Sequence, residues 1–232
     1  MRPDAVHAVI AVKNLARAKS RLAERLSPTD RSRLVLAMLS DTVGAATAAG
    51  LASVTVVTPD AEVAAAVRAL GARVHPDPAA ADDGLNAALT DAADAVRRAF
   101  GPVELLALQA DLPALRADEL CDMLATAPPT GRSLVADHTG HGTAALLVRD
   151  ETAPLAPRFG PGSARRHIDS GAKDLGGHWP GLRLDVDTAA DLDDAAALGV
   201  GPATAAVLDD IGWPRPVHTD LTRRCTAGSH VC

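Results

Sequence analysis

The sequence predicts an α/β fold in which helices pack on a central sheet that is mainly parallel and becomes mixed toward the C-terminal third. Three features predict it. Short apolar runs alternate with stretches of helical periodicity as far as Ala125. One of those runs, residues 103–108, leads to a single carboxylate, Asp111, followed at once by the proline-set turn Leu112-Pro113. Beyond Pro128 the runs shorten and a Gly-rich turn separates two of them, the pattern of an antiparallel pair.

Residues 6–12 read as a first buried strand and 51–58 as a second, ending in Thr58-Pro59-Asp60. Between them, residues 30–49 carry Leu34, Val35, Met38, Leu39, Thr42 and Val43 at helical spacing, which makes a β-α-β unit. Residues 62–70 form a helix closed by Gly71, residues 73–75 a short strand, and residues 85–100 a third helix. Strand 103–108 precedes a helix over 117–125, its start marked by Pro113 and Asp118. Strands at 133–137 and 143–148 flank His138-Thr139-Gly140-His141-Gly142. A Pro- and Gly-rich loop at 153–162 leads to a helix at 163–170. A strand at 182–188 follows, then a helix at 188–198 capped by Thr188 and Asp191. From about Gly201 the periodicity fades. The expected division is one domain over residues 1–208 and a mobile tail over 209–232.

At 232 residues the chain suits one generous α/β domain rather than two with separate cores. Hydrophobic residues reach 47% but aromatics only 2%, without tyrosine, so the core must be built from Ala, Val and Leu. A formal net charge of −6 argues against general binding to nucleic acid or anionic membranes. Cys121, Cys225 and Cys232 have neither metal-ligand spacing nor an even-numbered disulfide framework, which fits a reduced cytoplasm, with Cys121 expected in the core. No apolar stretch resembles a leader or a membrane span, so the expectation is a soluble cytoplasmic protein.

Two places concentrate chemistry. A strand that delivers Asp111 at its C-terminal end puts a charge where open α/β sheets hold ligands, and strand alternation would turn Asp185 and Asp187 to one shared face. Three such carboxylates suit one or two hard cations. In purely local terms, Asp111 serves equally as a turn former, Asp187 as a helix cap and Asp185 as a solvated strand end. The second place follows the first strand, where Lys13, Arg17, Lys19 and Arg21 form a positive cluster in an acidic protein. A solvated helix face is the ordinary fate of such a run, but Lys13 and Lys19 flank the strand exit. His138, His141 and His167 have no ligand spacing and read as loop and helix-surface residues.

These segments, taken with Gly140-His141-Gly142-Thr143, Arg158-Phe159-Gly160-Pro161-Gly162-Ser163 and Asp185-Val186-Asp187-Thr188, closely resemble the guanylyltransferases of deazaflavin coenzyme F420 biosynthesis. The resemblance spans about residues 6–207, and residues beyond about 208 find no counterpart. It implies a three-layer α/β/α nucleotidyltransferase sandwich, Rossmann-like, with a mixed, mainly parallel sheet. It also implies a reaction coupling GTP to a three-carbon phosphoacid, phosphoenolpyruvate in the bacterial branch the chain is most similar to. By the same resemblance Asp111, Asp185 and Asp187 hold Mg²⁺, and Thr143, Gly160 and Ser163 hold the phosphoacid. Lys13, Lys19 and Arg21 neutralise the triphosphate, and Gly84, Leu85 and Asn86 cover the guanine. Mg²⁺ with three aspartates and no histidine suits an ion that completes its shell with phosphate and water. The first loop departs from the Gly-Gly-x-x-x-Arg turn of sugar nucleotidyltransferases, so side-chain charge replaces backbone cradling there.

The expected reaction is attack by the phosphate of phosphoenolpyruvate on the α-phosphorus of GTP, giving enolpyruvyl-diphospho-guanosine and pyrophosphate. Its nucleophile is already anionic and needs no general base, so catalysis rests on positioning and charge neutralisation, with Asp111, Lys13, Lys19 and Arg21 at the reacting centre. The alternatives are 2-phospho-L-lactate or 3-phosphoglycerate as acceptor, a molybdopterin or sugar nucleotidyltransferase, or a catalytically silent nucleotide-binding regulatory domain. Hand-over of the labile product to the downstream transferase of the pathway is a further expectation.

Overall fold

The computed structural model describes residues 5–12, 15, 19–77 and 84–214. Lys13, Arg17, Asp82, Asp83, Cys225 and Cys232 lie outside them.

Among the described residues seven strands form one sheet: β1 (Val6–Ala11), β2 (Ser53–Thr58), β3 (Arg73–Pro76), β4 (Glu104–Leu108), β5 (Arg132–Ala136), β6 (Thr143–Val148) and β7 (Lys173–Asp174). Their spatial order is β3-β2-β1-β4-β6-β5-β7, and only β6 runs against its neighbours. The sheet is therefore mixed and mainly parallel, as the change of pattern after Pro128 predicts. Among the described residues eight helices surround it: α1 (Pro28–Ala48), α2 (Ala61–Ala69), α3 (Gly84–Phe100), α4 (Ala117–Thr126), α5 (Ser163–Asp169), α6 (Pro180–Arg183), α7 (Ala189–Leu198) and α8 (Pro202–Asp210).

Strand pleating sorts the core into two layers. Val6, Ala8 and Ile10 of β1 and Leu106 and Leu108 of β4 face one side. There they meet Leu34 and Met38 of α1, Val63 of α2, Leu120 of α4, Leu192 of α7 and Leu208 of α8. Val9, Leu105 and Ala107 face the other side, against Ala88, Leu89 and Val96 of α3 and Ala164 of α5. With so few aromatics, the small side chains of α3 let that helix lie close on the strands. The helix starts follow local chemistry: Ser27 caps α1 with Pro28 at the first position, Asp60 caps α2, and Thr188 and Asp191 form a reciprocal capping box on α7.

Two expectations are corrected. Residues 182–188 are not a strand. Pro180 and Gly181 begin the helical turn α6, and the buried Glu119 carboxylate accepts the Gly181 and Leu182 amides, each at 3.0 Å, where a ladder partner would otherwise be needed. A side chain at position 181 would strike the Ala114 carbonyl, so the turn packs directly on the 111–115 loop. Alternation survives without a ladder, because Val186 is fully buried between Asp185 and Asp187 and its amide reaches the Asp111 carbonyl at 3.1 Å.

The second correction concerns the tail. Residues beyond Gly201 form α8, which packs along α1, its first amides accepted by the buried Asp41 carboxylate at 3.0 and 2.7 Å. Trp213 is only 7% exposed. Its indole donates to Asp193 at 2.8 Å and the Arg25 guanidinium lies 4.7 Å over its ring. Packing therefore continues through Trp213, past the boundary expected at 208. Trp213→Ala should lower stability by about 3 kcal/mol, the usual cost of truncating a buried aromatic. Urea denaturation checks this, and an unchanged midpoint would mean that the indole is not docked in solution.

Candidate active site

β1 and β4 are adjacent, yet the chain leaves them toward opposite ends of the sheet, so a crevice opens beyond their C-terminal ends. Asp111 enters it from the loop after β4. Lys19 enters after β1, from a left-handed backbone position (φ 54°) that opens a single 3₁₀ turn, Ser20–Leu22. The Lys19 ammonium bonds to Asp111 Oδ2 and, at 2.7 Å, to Asp187 Oδ1, with its side chain only 8% exposed. Arg21 Nη1 stands 3.9 Å from Asp187 Oδ2 on the open side.

Electrostatics follow from this crowding. Burial works against the charge on Lys19, but Asp111 and Asp187 outweigh it and raise its pKa above the ordinary lysine value. Burial would likewise raise the Asp187 carboxyl, but Lys19, then Arg21 and His138, hold it below the usual carboxylate range. Among the described residues Asp185 meets no lysine or arginine, only the His138 ring at 3.4 Å. Burial, then the charges of Asp111 and Asp137, push its pKa up to about 6. Asp111 Oδ1 and Asp185 Oδ1 are buried without a hydrogen-bond partner.

Among the described residues no three His, Cys, Asp or Glu side chains converge as a ligand set of their own. Asp111 and Asp187 are bridged by the Lys19 ammonium, which separates them as joint ligands. The two orphaned carboxylate oxygens, on Asp111 and Asp185, nonetheless suit a hard cation that takes one or two carboxylates and fills its shell with phosphate.

Arg21, Asp185 and Asp187 line a cavity of about 590 Å³ to which the 160–163 loop also contributes, with Lys19 and Asp111 reached from it through Asp187. Ser163, at the start of α5, lines it, with Gly160 beside it and Arg21, Asp185 and Asp187 across from it. Behind Ser163 its hydroxyl meets Thr143 Oγ1 at 3.0 Å, and Thr143 meets Nδ1 of His167, also at 3.0 Å. The Arg158 amide donates to His167 Nε2 at 2.8 Å. His167 is thus fully buried, not the surface residue the spacing suggested. Burial, then the charges of Arg132, Arg166 and Arg158, push its pKa down to about 4.

The nucleobase expectation is corrected in one respect. Asn86 donates to the Phe159 carbonyl at 3.1 Å and accepts the Phe159 amide at 2.8 Å, so its side chain ties α3 to the loop before Gly160. Gly84 is buried and Leu85 half-buried at the start of α3, outside the cavity lining. Three residues escape sequence reasoning. Asp137 gathers the amides of Thr139, His141 and Gly142, and a Cβ at Gly142 would lie 2.0 Å from its carboxylate. His138 sits between Asp185 and Asp191, at 3.4 and 3.5 Å. Gln109 lines the cavity just before Asp111. The Asp-x₄-Gly spacing of 137 and 142 was the available signal for the first.

Residues 6–223 match the family model described as guanylyl transferase CofC like. The chain belongs to this family. The match runs past residue 207, where the resemblance was expected to end. It is 65% identical over 97% of its length to a phosphoenolpyruvate guanylyltransferase of Nocardia farcinica, all of which is covered. It is 54% identical to one of Rhodococcus opacus, covering 91% of this chain and 93% of that one. Among solved structures it resembles a putative nucleotide-diphospho-sugar transferase of Desulfovibrio desulfuricans, with TM-score 0.68 and 14% identity over 90% and 95% of the two chains. This likeness establishes the three-layer nucleotidyltransferase fold. Among the described residues no helix is long and apolar enough to cross a membrane.

The His167 environment predicts a pH effect. Its folded pKa lies below the free value of 6.5, so its contribution to stability is complete above that value and is lost as pH falls toward about 4. Between pH 7.5 and 4.5 wild type should lose roughly 2 kcal/mol more than His167→Gln, which cannot titrate there. Equal losses in urea denaturation would contradict the buried neutral imidazole.

Proposed function

We propose that this guanylyltransferase transfers GMP from GTP to phosphoenolpyruvate, with Mg²⁺, releasing pyrophosphate and forming enolpyruvyl-diphospho-guanosine for coenzyme F420 biosynthesis in the cytoplasm. The observation that carries this is one cavity with two unlike walls. Its lining includes Arg21, Asp185 and Asp187, the last bonded to Lys19 and through it to Asp111, and also Gly160 and Ser163, whose hydroxyl is bonded to the buried Thr143. Family membership and the names of the relatives support the choice of GTP and phosphoenolpyruvate.

The residues divide the work. Thr143, Gly160 and Ser163 hold the phosphoacid so that its phosphate oxygen points at the α-phosphorus, and no base is needed because that oxygen is already anionic. Lys19 and Arg21, with Lys13, carry positive charge to the triphosphate and to the pyrophosphate that leaves. Asp111 and Asp185 would hold Mg²⁺ through their orphaned oxygens, with Asp187 beside them orienting Lys19. Mg²⁺ held there would supply positive charge against the phosphate oxygens. Gly84 and Leu85 offer backbone groups to the guanine.

Pyrophosphate release with GTP and each of phosphoenolpyruvate, 2-phospho-L-lactate and 3-phosphoglycerate tests the reading. The highest kcat/KM is expected with phosphoenolpyruvate, and no release with any of the three would overturn it. Asp111→Asn and Asp187→Asn should each lower kcat by about 100-fold or more while the protein stays folded. Near-wild-type rates in saturating Mg²⁺ would remove both from the reacting centre. Ser163→Ala should raise the KM for phosphoenolpyruvate roughly 10- to 100-fold and spare that for GTP, since a lost hydrogen bond to an anion costs about 1.5–3 kcal/mol. Equal shifts for both substrates would place Ser163 elsewhere.

A further inference from the structure

We infer that Gln109 is a further acceptor-binding residue: its side-chain amide, which the fold leaves uncommitted, donates an N–H to an anionic oxygen of the phosphoacid. This rests on the reading that the phosphoacid sits against Thr143, Gly160 and Ser163.

Strand alternation places the side chain. Leu105 and Ala107 of β4 face the layer that holds Ala164 of α5, whereas Leu106, Leu108 and Ala110 face the opposite layer. The Gln109 amide donates to the carbonyl of Ala144, the residue after Thr143, at 3.0 Å. The chain therefore stays extended beside β6 for one residue past the strand, and position 109 falls on the α5 face. Ser163 precedes Ala164 on that same face, and both Gln109 and Ser163 line the cavity. The backbone at 109 is anchored from both sides, since Leu108 is buried and Ala110 packs on the opposite layer.

Neighbouring polar groups of the lining already have partners. Asp137 accepts the amides of Thr139, His141 and Gly142, Asp191 accepts those of Asp187 and Thr188, and Asp187 holds Lys19. The half-buried Gln109 carboxamide has no hydrogen-bond partner among the described residues. It carries two N–H donors, and a bond from such a donor to an anion is stronger than one to a neutral acceptor. Its neutrality suits the place. A cation here would be claimed by the acids of the cavity, as Lys19 is by Asp111 and Asp187, whereas a carboxamide forms no ion pair and stays available to an incoming anion.

Gln109→Met keeps the length of the side chain and removes its donors, and Gln109→Glu sets a carboxylate against the anion. Gln109→Met should raise the KM for phosphoenolpyruvate about tenfold or more, with the KM for GTP within about twofold of wild type. Gln109→Glu should raise the KM for phosphoenolpyruvate further. Because the carboxamide holds nothing in the fold, the thermal midpoint of Gln109→Met should stay within about 2 °C of wild type. A wild-type KM in either variant, or an equal rise for GTP, would overturn the inference. Calorimetric titration of phosphoenolpyruvate into protein holding Mg²⁺ and a GTP analogue with a methylene α,β bridge should show the same weakening in Gln109→Met without turnover. Equal affinity in wild type and Gln109→Met would overturn the inference. A wild-type protein that neither binds phosphoenolpyruvate nor releases pyrophosphate with it would overturn the acceptor reading instead.

Discussion

The Lys19 ammonium is the contact on which the site depends, because it joins segments 92 and 168 residues away along the chain. Parallel strands end by delivering their loops to one edge, and here that edge collects Asp111, Asp185 and Asp187 within a small, half-buried volume. Burial first, and then the like charges of Asp111 and Asp137, raise the pKa of Asp185, which no lysine or arginine among the described residues meets. Lys19 relieves like-charge repulsion for the other two, at the cost of a left-handed backbone that a lysine seldom adopts. An ion pair this buried adds little net stability, but removing one partner leaves an uncompensated charge. The contact is better understood as placing a positive group where phosphate must pass.

The acceptor wall is built on a different principle. Residues 150–162 have no regular structure, and three guanidiniums, two half-buried and one exposed, stake them down by their own carbonyls. Arg97 reaches Asp150 and Ala153, Arg132 reaches Leu155 and Ala156, and Arg166 reaches Arg158, Phe159 and Pro161. A planar guanidinium with five donors can bind several carbonyls at once, so a loop without a ladder is still held in one shape. Gly160 and Ser163, which line the cavity, are thereby held in one place relative to it. Asn86 adds a tie from α3, which gives the residue expected at the nucleobase a share in the acceptor wall.

What was legible in the sequence is what depends on local pattern. Periods of two and of about 3.6 marked most strands and helices within a few residues, and the Thr188–Asp191 cap was visible as a motif. The carboxylates stood out because a charge at the end of an apolar run is conspicuous. α8 was missed although Pro202 occupies its first turn, since its cap is supplied by Asp41 from the middle of α1. α6 was read as a strand because Leu182, Leu184 and Val186 alternate correctly; the amides that would seek a ladder are taken by Glu119, which no local pattern reveals. His167 looked like a helix-surface residue for the same reason.

The asymmetry between the two walls has a physical origin. Binding a triphosphate calls for charge, and charge clusters are visible in a chain whose core is Ala, Val and Leu. Binding a small acid in a fixed pose calls for oriented neutral donors, and their orientation is decided by atoms that are themselves hidden: a backbone amide at Arg158, an imidazole behind a threonine, a carboxamide holding Phe159. Each is an ordinary residue in the sequence, and each acquires its role only once β6, α5 and the loop between them are folded together. Because an unmet buried donor or acceptor is costly, such a network tolerates few alternative proton arrangements. The hydroxyls of Thr143 and Ser163 are therefore held less by the cavity than by the buried partners behind them.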